Sequence, residues 1–484
     1  MNKFNWLYIT ALTLLFAVAC NKNDDPDDPS NPDPDEQPSG AIQLQQKELR
    51  GVWMATAWRL DWPQEQLTVT AQKKLYTDYL DKFVSIGINA VFVQIRPFAD
   101  AFYNSQYESW SSAITGVAAK DPGYDVLRFM IDETHARGLE FHAWMNPYRI
   151  ARRTDKTVPF AALDPKINQS LTKDYDKIRI YNPALPEVQT LIANIVKEVI
   201  TEYDVDGIHF DDYFYPDPSD YSSLDDAEDF KKYGAGYADI ESFRRANVDK
   251  AIKNVYDVIT TNKPGVVFSV SPTSDNTYNL NSLKADVVKW CEEGWIDVVI
   301  PQLYIATGTA SSSFNVRLSW WHQYCYKAVY MVGYGLYKFG DAQYGSQFQT
   351  VSELAEQFRL ARNLSKVQGS IHYSAQYFNL NRLGIIDILR DNIYQNPALI
   401  PFAGRKTASD PTPAGGILLS GNTLKWTADA GLRTVIYQVS DNKGTIIAIT
   451  SDHQFTLPAK GKYCLTTVNA DNNESEISEI VELR

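Results

Sequence analysis

Between Leu49 and Asn396, short runs of β-branched and aromatic residues alternate with longer amphipathic stretches, and the alternation repeats eight times. The short runs predict strands over residues 50–57, 90–96, 140–146, 207–211, 266–271, 297–304, 329–334 and 369–377. The amphipathic stretches predict helices over 71–86, 126–137, 186–203, 240–261, 283–294, 314–326, 351–364 and 383–394. Gly138 and Gly294 stand where a left-handed residue would stop the second and fifth of these helices. Eight βα units in about 350 residues suit an α/β fold of the (β/α)8 TIM-barrel type with long loops. An open doubly wound sheet fits less well, because no Gly-rich dinucleotide or phosphate fingerprint follows the early strands.

Beyond Pro401 the texture changes. Residues 409–416 read as a linker, and short alternating runs follow at 423–426, 434–439, 445–450, 462–468 and 476–483. Their spacing predicts a small all-β sandwich that resembles a fibronectin type III module, with Trp426, Tyr437 and Tyr463 in its core. It carries no metal motif or obvious aromatic trio, which favours a packing or spacing role over sugar binding.

The other end of the chain is not barrel-like. Lys3, an apolar run over 7–18 and the ending Ala17-Val18-Ala19-Cys20 resemble a bacterial lipoprotein signal, with Cys20 as the residue to be lipidated. The apolar run is too short to span a bilayer core, which needs roughly 20 residues. From Asn21 to Gly40 there are seven acidic residues against Lys22, which accounts for six of the 13 net negative charges. This stretch reads as a disordered acidic tether, and it resembles the export signal of surface lipoproteins. The domains expected are therefore a signal over 1–20, a tether over 21–45, a barrel over 46–404 and a sandwich over 405–484. The expected location is the outer membrane, on the cell surface or the periplasmic face, with the lipid on Cys20 as anchor.

Composition narrows the chemistry. The folded part is mildly acidic and has no basic field suited to nucleic acid. Cys291, Cys325 and Cys464 are too dispersed for a disulfide framework or zinc knuckle, and the six histidines include no metal-spaced pair. No catalytic metal or organic cofactor is expected.

Side chains alternate along a strand, and those at the C-terminal end of a barrel strand line the site. On this rule Arg96, His142, Trp144, Asn146, His209, Asp211, Gln302, Tyr304, His372 and Gln376 share the inward register. Apolar residues usually fill that space, so a set this polar predicts a polar cleft. The sharpest cluster is 206–216, where an apolar strand runs into Asp211 and Asp212 and then into Tyr213, Phe214 and Tyr215. Glycoside hydrolysis needs one carboxylate at the anomeric carbon and a second group to protonate the leaving oxygen. Asp211 takes the first role as nucleophile or oxocarbenium stabiliser. Asp212, repelled by its neighbour, is the candidate acid. Asp100, Glu108 and Asp275 also stand at strand mouths as alternative partners. Aromatics crowd the same loops, at Trp58, Trp62, Tyr103, Tyr107, Trp110, Trp144, Tyr148 and Tyr213 to Tyr215, and flat faces of this kind stack on sugar rings.

Five ordered motifs now carry a resemblance: Glu48-Leu49-Arg50-Gly51-Val52-Trp53; Gln94-Ile95-Arg96-Pro97 with Asp100-Ala101-Phe102-Tyr103; His142 through Arg149; Asp206 through Pro216; and Pro301-Gln302-Leu303-Tyr304. Together they resemble the glycosyl-hydrolase-like ten family of bacterial lipoproteins, over roughly 49–401. The resemblance implies a glycan partner. The substrate contacts expected at the barrel mouth are Arg96, Asp100, Tyr103, His142, Trp144, Asn146, Arg149, His209, Tyr213, Gln302, Tyr304 and Gln376. Because the family includes a septal glycosidase acting on peptide-stripped peptidoglycan, glycan strands lacking stem peptides are the first substrate expectation. Dietary or host glycans are the enzymatic alternative, and a non-catalytic carbohydrate-binding lipoprotein is the alternative of another class. One departure bears on the substrate: Ser271-Pro272-Thr273-Ser274-Asp275 stands where the family pattern has Ser-Pro-Phe-Gly.

Overall fold

The computed structural model describes residues 42–65, 68–401, 403–404 and 409–484. Cys20 and the signal lie outside the described residues, as does the tether up to residue 41.

Eight parallel strands close into a barrel: Leu49–Met54, Ala90–Arg96, Glu140–Met145, Gly207–Phe210, Val267–Val270, Val298–Val299, Val329–Gly335 and Val367–Tyr373. Their near-continuous burial follows from apolar contacts on both faces. Leu49, Trp53, Phe92, Trp144, Val298, Met331 and Ile371 fill the interior. Val52, Val91, Val93, Phe141, Ile208 and Phe268 point outward into the surrounding helices. The seventh strand thins at Gly333 and Gly335 to make room for aromatics. A Cβ on Gly333 would meet the Trp53 ring at 2.9 Å, and one on Gly335 would meet Tyr304 at 3.0 Å.

Most predicted strands are trimmed by a residue or more, and two change more substantially. The sixth, expected over 297–304, keeps only Val298–Val299. Pro301 has no N–H for the ladder, and Gln302 makes only isolated bridges to Thr273 and Gly333. The eighth, expected over 369–377, stops at Tyr373, and Gln376–Leu380 is a short helix. The last predicted helix, 383–394, is Ile385–Ile388 followed by a π turn, Leu389–Ile393. The loop after the third strand contains a small antiparallel sheet, unforeseen in the sequence, of Arg149–Arg152, Ile178–Tyr181 and Thr172–Asp174 in that order.

The C-terminal region is all-β. One sheet orders Gln43–Leu44, Lys443–Thr450, Arg433–Ser440, Gly461–Val468 and Val481–Leu483. A second contains Gly415–Ser420, Thr423–Thr427 and Gln454–Thr456. Trp426 and Tyr463 pack in the core between them with Leu424, Ile436 and Leu465. Tyr437 does not: it lies on the other face of the larger sheet with Leu399, Val435, Ile446 and Cys464. The edge strand Gln43–Leu44 comes from the range read as tether, so residues 42–45 are ordered here, and the Gln45 Oε1 accepts from the Ile446 N–H at 3.1 Å. Asn472 donates to Glu140 at 3.0 Å, which docks this region on the N-terminal face of the barrel, away from the strand ends described next.

Candidate active site

At the C-terminal ends of the strands lies a cleft of about 260 Å³ with Asp211 and Asp212 on one wall. Asp211 is the inward residue that follows the fourth strand and is only 3% exposed. Its Oδ2 accepts the Trp144 indole N–H at 3.0 Å, and its Oδ1 accepts from the Asn146 amide at 3.2 Å and the Tyr213 backbone at 3.4 Å. The Asn146 amide is oriented by its own Oδ1, which accepts the backbone N–H of Arg149 at 2.9 Å and of Tyr148 at 3.3 Å. Burial pushes Asp211 above the ordinary carboxylate range, opposed by the charge of Arg149 and by these donors. Asp212 is pushed up to about 7, first by burial and then by the charge of Asp211, and a hydrogen bond from Gln302 opposes the shift. One of two adjacent carboxyls is thus held by donors suited to an anion, while the other retains a proton near neutral pH.

The rest of the cleft is aromatic and amide. Trp53, Trp144, Tyr213, Tyr304, Tyr337 and Tyr373 line it together with Ser271 and Gln302. Tyr304 stacks on Tyr373 with ring centroids 5.8 Å apart, and Trp53 meets Tyr304 edge-on at 6.4 Å. The Gln302 amide donates to the Ser271 carbonyl at 3.0 Å. Such flat faces with a few fixed polar groups suit a sugar ring.

Of the residues expected on sequence grounds, Asp211, Asp212, Trp144, Tyr213, Gln302 and Tyr304 line the cleft, with Asn146 and Arg149 directly behind Asp211. His209 points inward but one layer below. It accepts from the Trp53 indole at 3.0 Å through Nε2, so its Nδ1 carries the proton and donates to Ser269 at 2.8 Å. Burial holds it neutral. His142 lies deeper still, stacked on Phe92 at 4.3 Å and bonded to Glu140 at 3.1 Å near the barrel floor.

Five expected positions fall elsewhere. A bulge between Gln94 and Arg96 turns Arg96 outward, where it pairs with buried Glu108 and donates to the Asn146 carbonyl. The eighth strand presents Ile371 and Tyr373 inward, which reverses the register expected for His372 and Gln376. His372 bonds the Tyr394 hydroxyl outside the barrel at 2.8 Å, and the Gln376 backbone N–H binds Asp61 at 2.9 Å. Asp100 accepts from the Phe98 backbone at 3.0 Å within its own loop. Tyr103 packs edge-on against Tyr203. Glu108 and Asp275 are also occupied, the latter by Arg317 at 2.6 Å and by capping the helix Asn276–Asn281.

Sequence reasoning missed Trp53, Ser271, Tyr337 and Tyr373 as lining residues. The period of two from Leu49 could have found Trp53, whereas Tyr337 comes from a loop whose path the local pattern does not encode. Among the described residues no group of three histidine, cysteine or acidic side chains could hold a metal ion.

Comparison with known proteins assigns the chain to a family. Residues 48–346 match the family model described as glycosyl hydrolase-like 10. The chain is 38% identical to glycosyl hydrolase YngK of Bacillus subtilis over 375 residues, which covers 73% of each chain. It is 32% identical to glycosyl hydrolase DigH of Escherichia coli K12 over 418 residues, 77% of this chain and 92% of that one. Among solved structures, the glycoside hydrolase domain of PgaB from Bordetella bronchiseptica aligns with a TM-score of 0.46 and 11% identity, covering 71% of this chain and 98% of that one. With the family model matching well over half the chain and two relatives above 30% identity, the chain belongs to the glycosyl hydrolase-like 10 family.

Proposed function

We propose that this protein hydrolyses O-glycosidic bonds of a complex glycan with Asp211 and Asp212 as its working carboxyls. The observation that carries the reading is the contrast between these neighbours: Asp211 is gripped by Trp144 and Asn146, and Asp212 is pushed up to about 7. Asp212 protonates the leaving oxygen, and Asp211 attacks or stabilises the oxocarbenium-like centre. Trp53, Tyr304 and Tyr373 supply the faces on which the sugar rings rest. Binding energy spent there orients the bond between the two carboxyls.

Glycan strands of peptidoglycan stripped of stem peptides are the first substrate, on the strength of the family resemblance. The acidic tether and Cys20 suit an outer-membrane lipoprotein that meets this polymer at the envelope. Soluble protein assayed against stripped peptidoglycan, intact peptidoglycan and a panel of host and plant glycans tests the reading. New reducing ends from the stripped strands alone support it. Release from another glycan moves the substrate, and binding without release by any of them points to a non-catalytic carbohydrate-binding protein.

A further inference from the structure

Four arginines of the described residues are buried, and three of them sit against a carboxylate: Arg50 with Glu48, Arg96 with Glu108 and Arg244 with Asp226. The fourth is Arg149, 2% exposed, and among the described residues no carboxylate lies within ion-pair distance of it. Its Nε donates to the Pro97 carbonyl at 3.2 Å, and its terminal nitrogens have no hydrogen-bond partner among the described residues. Aromatic rings crowd it instead. The guanidinium lies 4.4 Å from the centroid of Tyr213, 4.5 Å from Phe98 and 5.5 Å from Trp58. Cation–π contacts offset part of the cost of burying a charge, but they leave the N–H donors at the end of the fork unused.

The position of this charge matters. Tyr213 both stacks on Arg149 and lines the cleft, and the charge of Arg149 acts on Asp211. Two of the three rings are open to solvent, Trp58 at 68% and Tyr213 at 36%, so the guanidinium lies beneath the aromatics at the barrel mouth, directly behind the cleft wall that Tyr213 and Asp211 form, and not in the barrel core. A fixed guanidinium with its terminal edge free matches a planar carboxylate in two parallel hydrogen bonds.

We propose that Arg149 is the specificity-determining receptor for a free carboxylate on the sugar bound beside Asp211, so that the preferred substrate is an acidic glycan. The inference rests on the hydrolase reading above and names the chemical class its substrate must have. Peptide-stripped muramyl residues fit, because loss of the stem peptide leaves the carboxyl free.

The test compares stripped peptidoglycan strands with the same strands after conversion of their carboxyls to methylamides. Wild-type protein is expected to cleave the free-acid strands on the order of 10- to 100-fold faster in kcat/KM, the range for hydrogen bonds to a charged partner. Arg149→Met lowers the rate on both strands through Asp211 but should bring the ratio of free-acid to amidated cleavage close to one, and Arg149→Lys should recover part of that ratio. Equal loss on both strands with a displaced acid limb of the pH profile would assign Arg149 to Asp211 alone and overturn the proposal. Indifference of the wild type to amidation overturns it too. Should the wild type cleave neither strand, the substrate of the preceding section fails while this proposal stays testable. Asp211→Asn protein titrated with sodium glucuronate and with glucose must then favour the acid, and equal binding rejects it. The same titration decides the matter if Arg149→Met does not fold.

Discussion

The indole N–H of Trp144 donates to Oδ2 of Asp211 across 3.0 Å, joining the third and fourth barrel strands at the point where the cleft begins. Both residues are inward on neighbouring strands, so the contact is set by the barrel register, His209 standing opposite Trp144 and Asp211 two residues further on. A donor fixed there costs no reorganisation when charge develops on the substrate.

Replacing the carboxylate that this donor holds is the most direct experiment. Asp211→Asn keeps the shape and removes the charge, so glycan cleavage should fall by at least about a thousandfold while binding persists. Initial rates and equilibrium binding on the same glycan measure both, and near-wild-type turnover in the variant would discard the assignment.

Asp212 should govern the alkaline limb of activity. The wild-type rate is expected to fall above about pH 7 as Asp212 loses its proton, whereas the acid limb follows ionisation of Asp211. In Asp212→Asn the alkaline limb should vanish and the rate should drop, but aryl glycosides with good leaving groups should still turn over because they need little protonation.

The same residue predicts a stability trend. Its folded pKa lies above its unfolded value of 3.8, so between that value and about 7 the folded chain holds more protons than the unfolded chain. Stability from this group is therefore full at low pH and lost as pH rises through that window. Asp212→Asn removes the effect, and its Tm relative to wild type should increase from pH 4 to pH 8. A difference that is flat with pH would mean that Asp212 titrates normally.

Arg96 should behave as a structural residue. Arg96→Met strands buried Glu108 without its partner, which costs about 3–5 kcal/mol. Urea unfolding should register that loss, while kcat/KM of the folded fraction stays far closer to wild type than in Asp211→Asn. The opposite result, unchanged stability with lost activity, would return Arg96 to the substrate.

Cys20→Ala is expected to yield a folded enzyme that no longer fractionates with membranes, since the acidic tether has little apolar surface to anchor it. Persistence of the variant in the membrane fraction would place the anchor elsewhere.

The local pattern of the chain determined the eight βα units, because a strand or helix buried on a defined face needs apolar residues at its own period. The same period placed Trp144 and Asp211 on one wall, and adjacency alone made Asp211 and Asp212 repel each other. What the tertiary structure decided is register. A single bulge at Gln94–Arg96 sends Arg96 outward, and on the eighth strand a shift of one residue exchanges His372 for Tyr373 at the cleft. Neither is written locally, since polar and aromatic side chains alternate plausibly on both faces and pairing with the neighbouring strands selects between them. Depth was equally hidden: His142, His209 and Asp211 share the inward face, yet only Asp211 lies at the strand end where the barrel opens. Tyr337 and the placing of Arg149 among rings without a carboxylate at ion-pair distance belong to the fold alone, because they depend on which loops close over the barrel mouth.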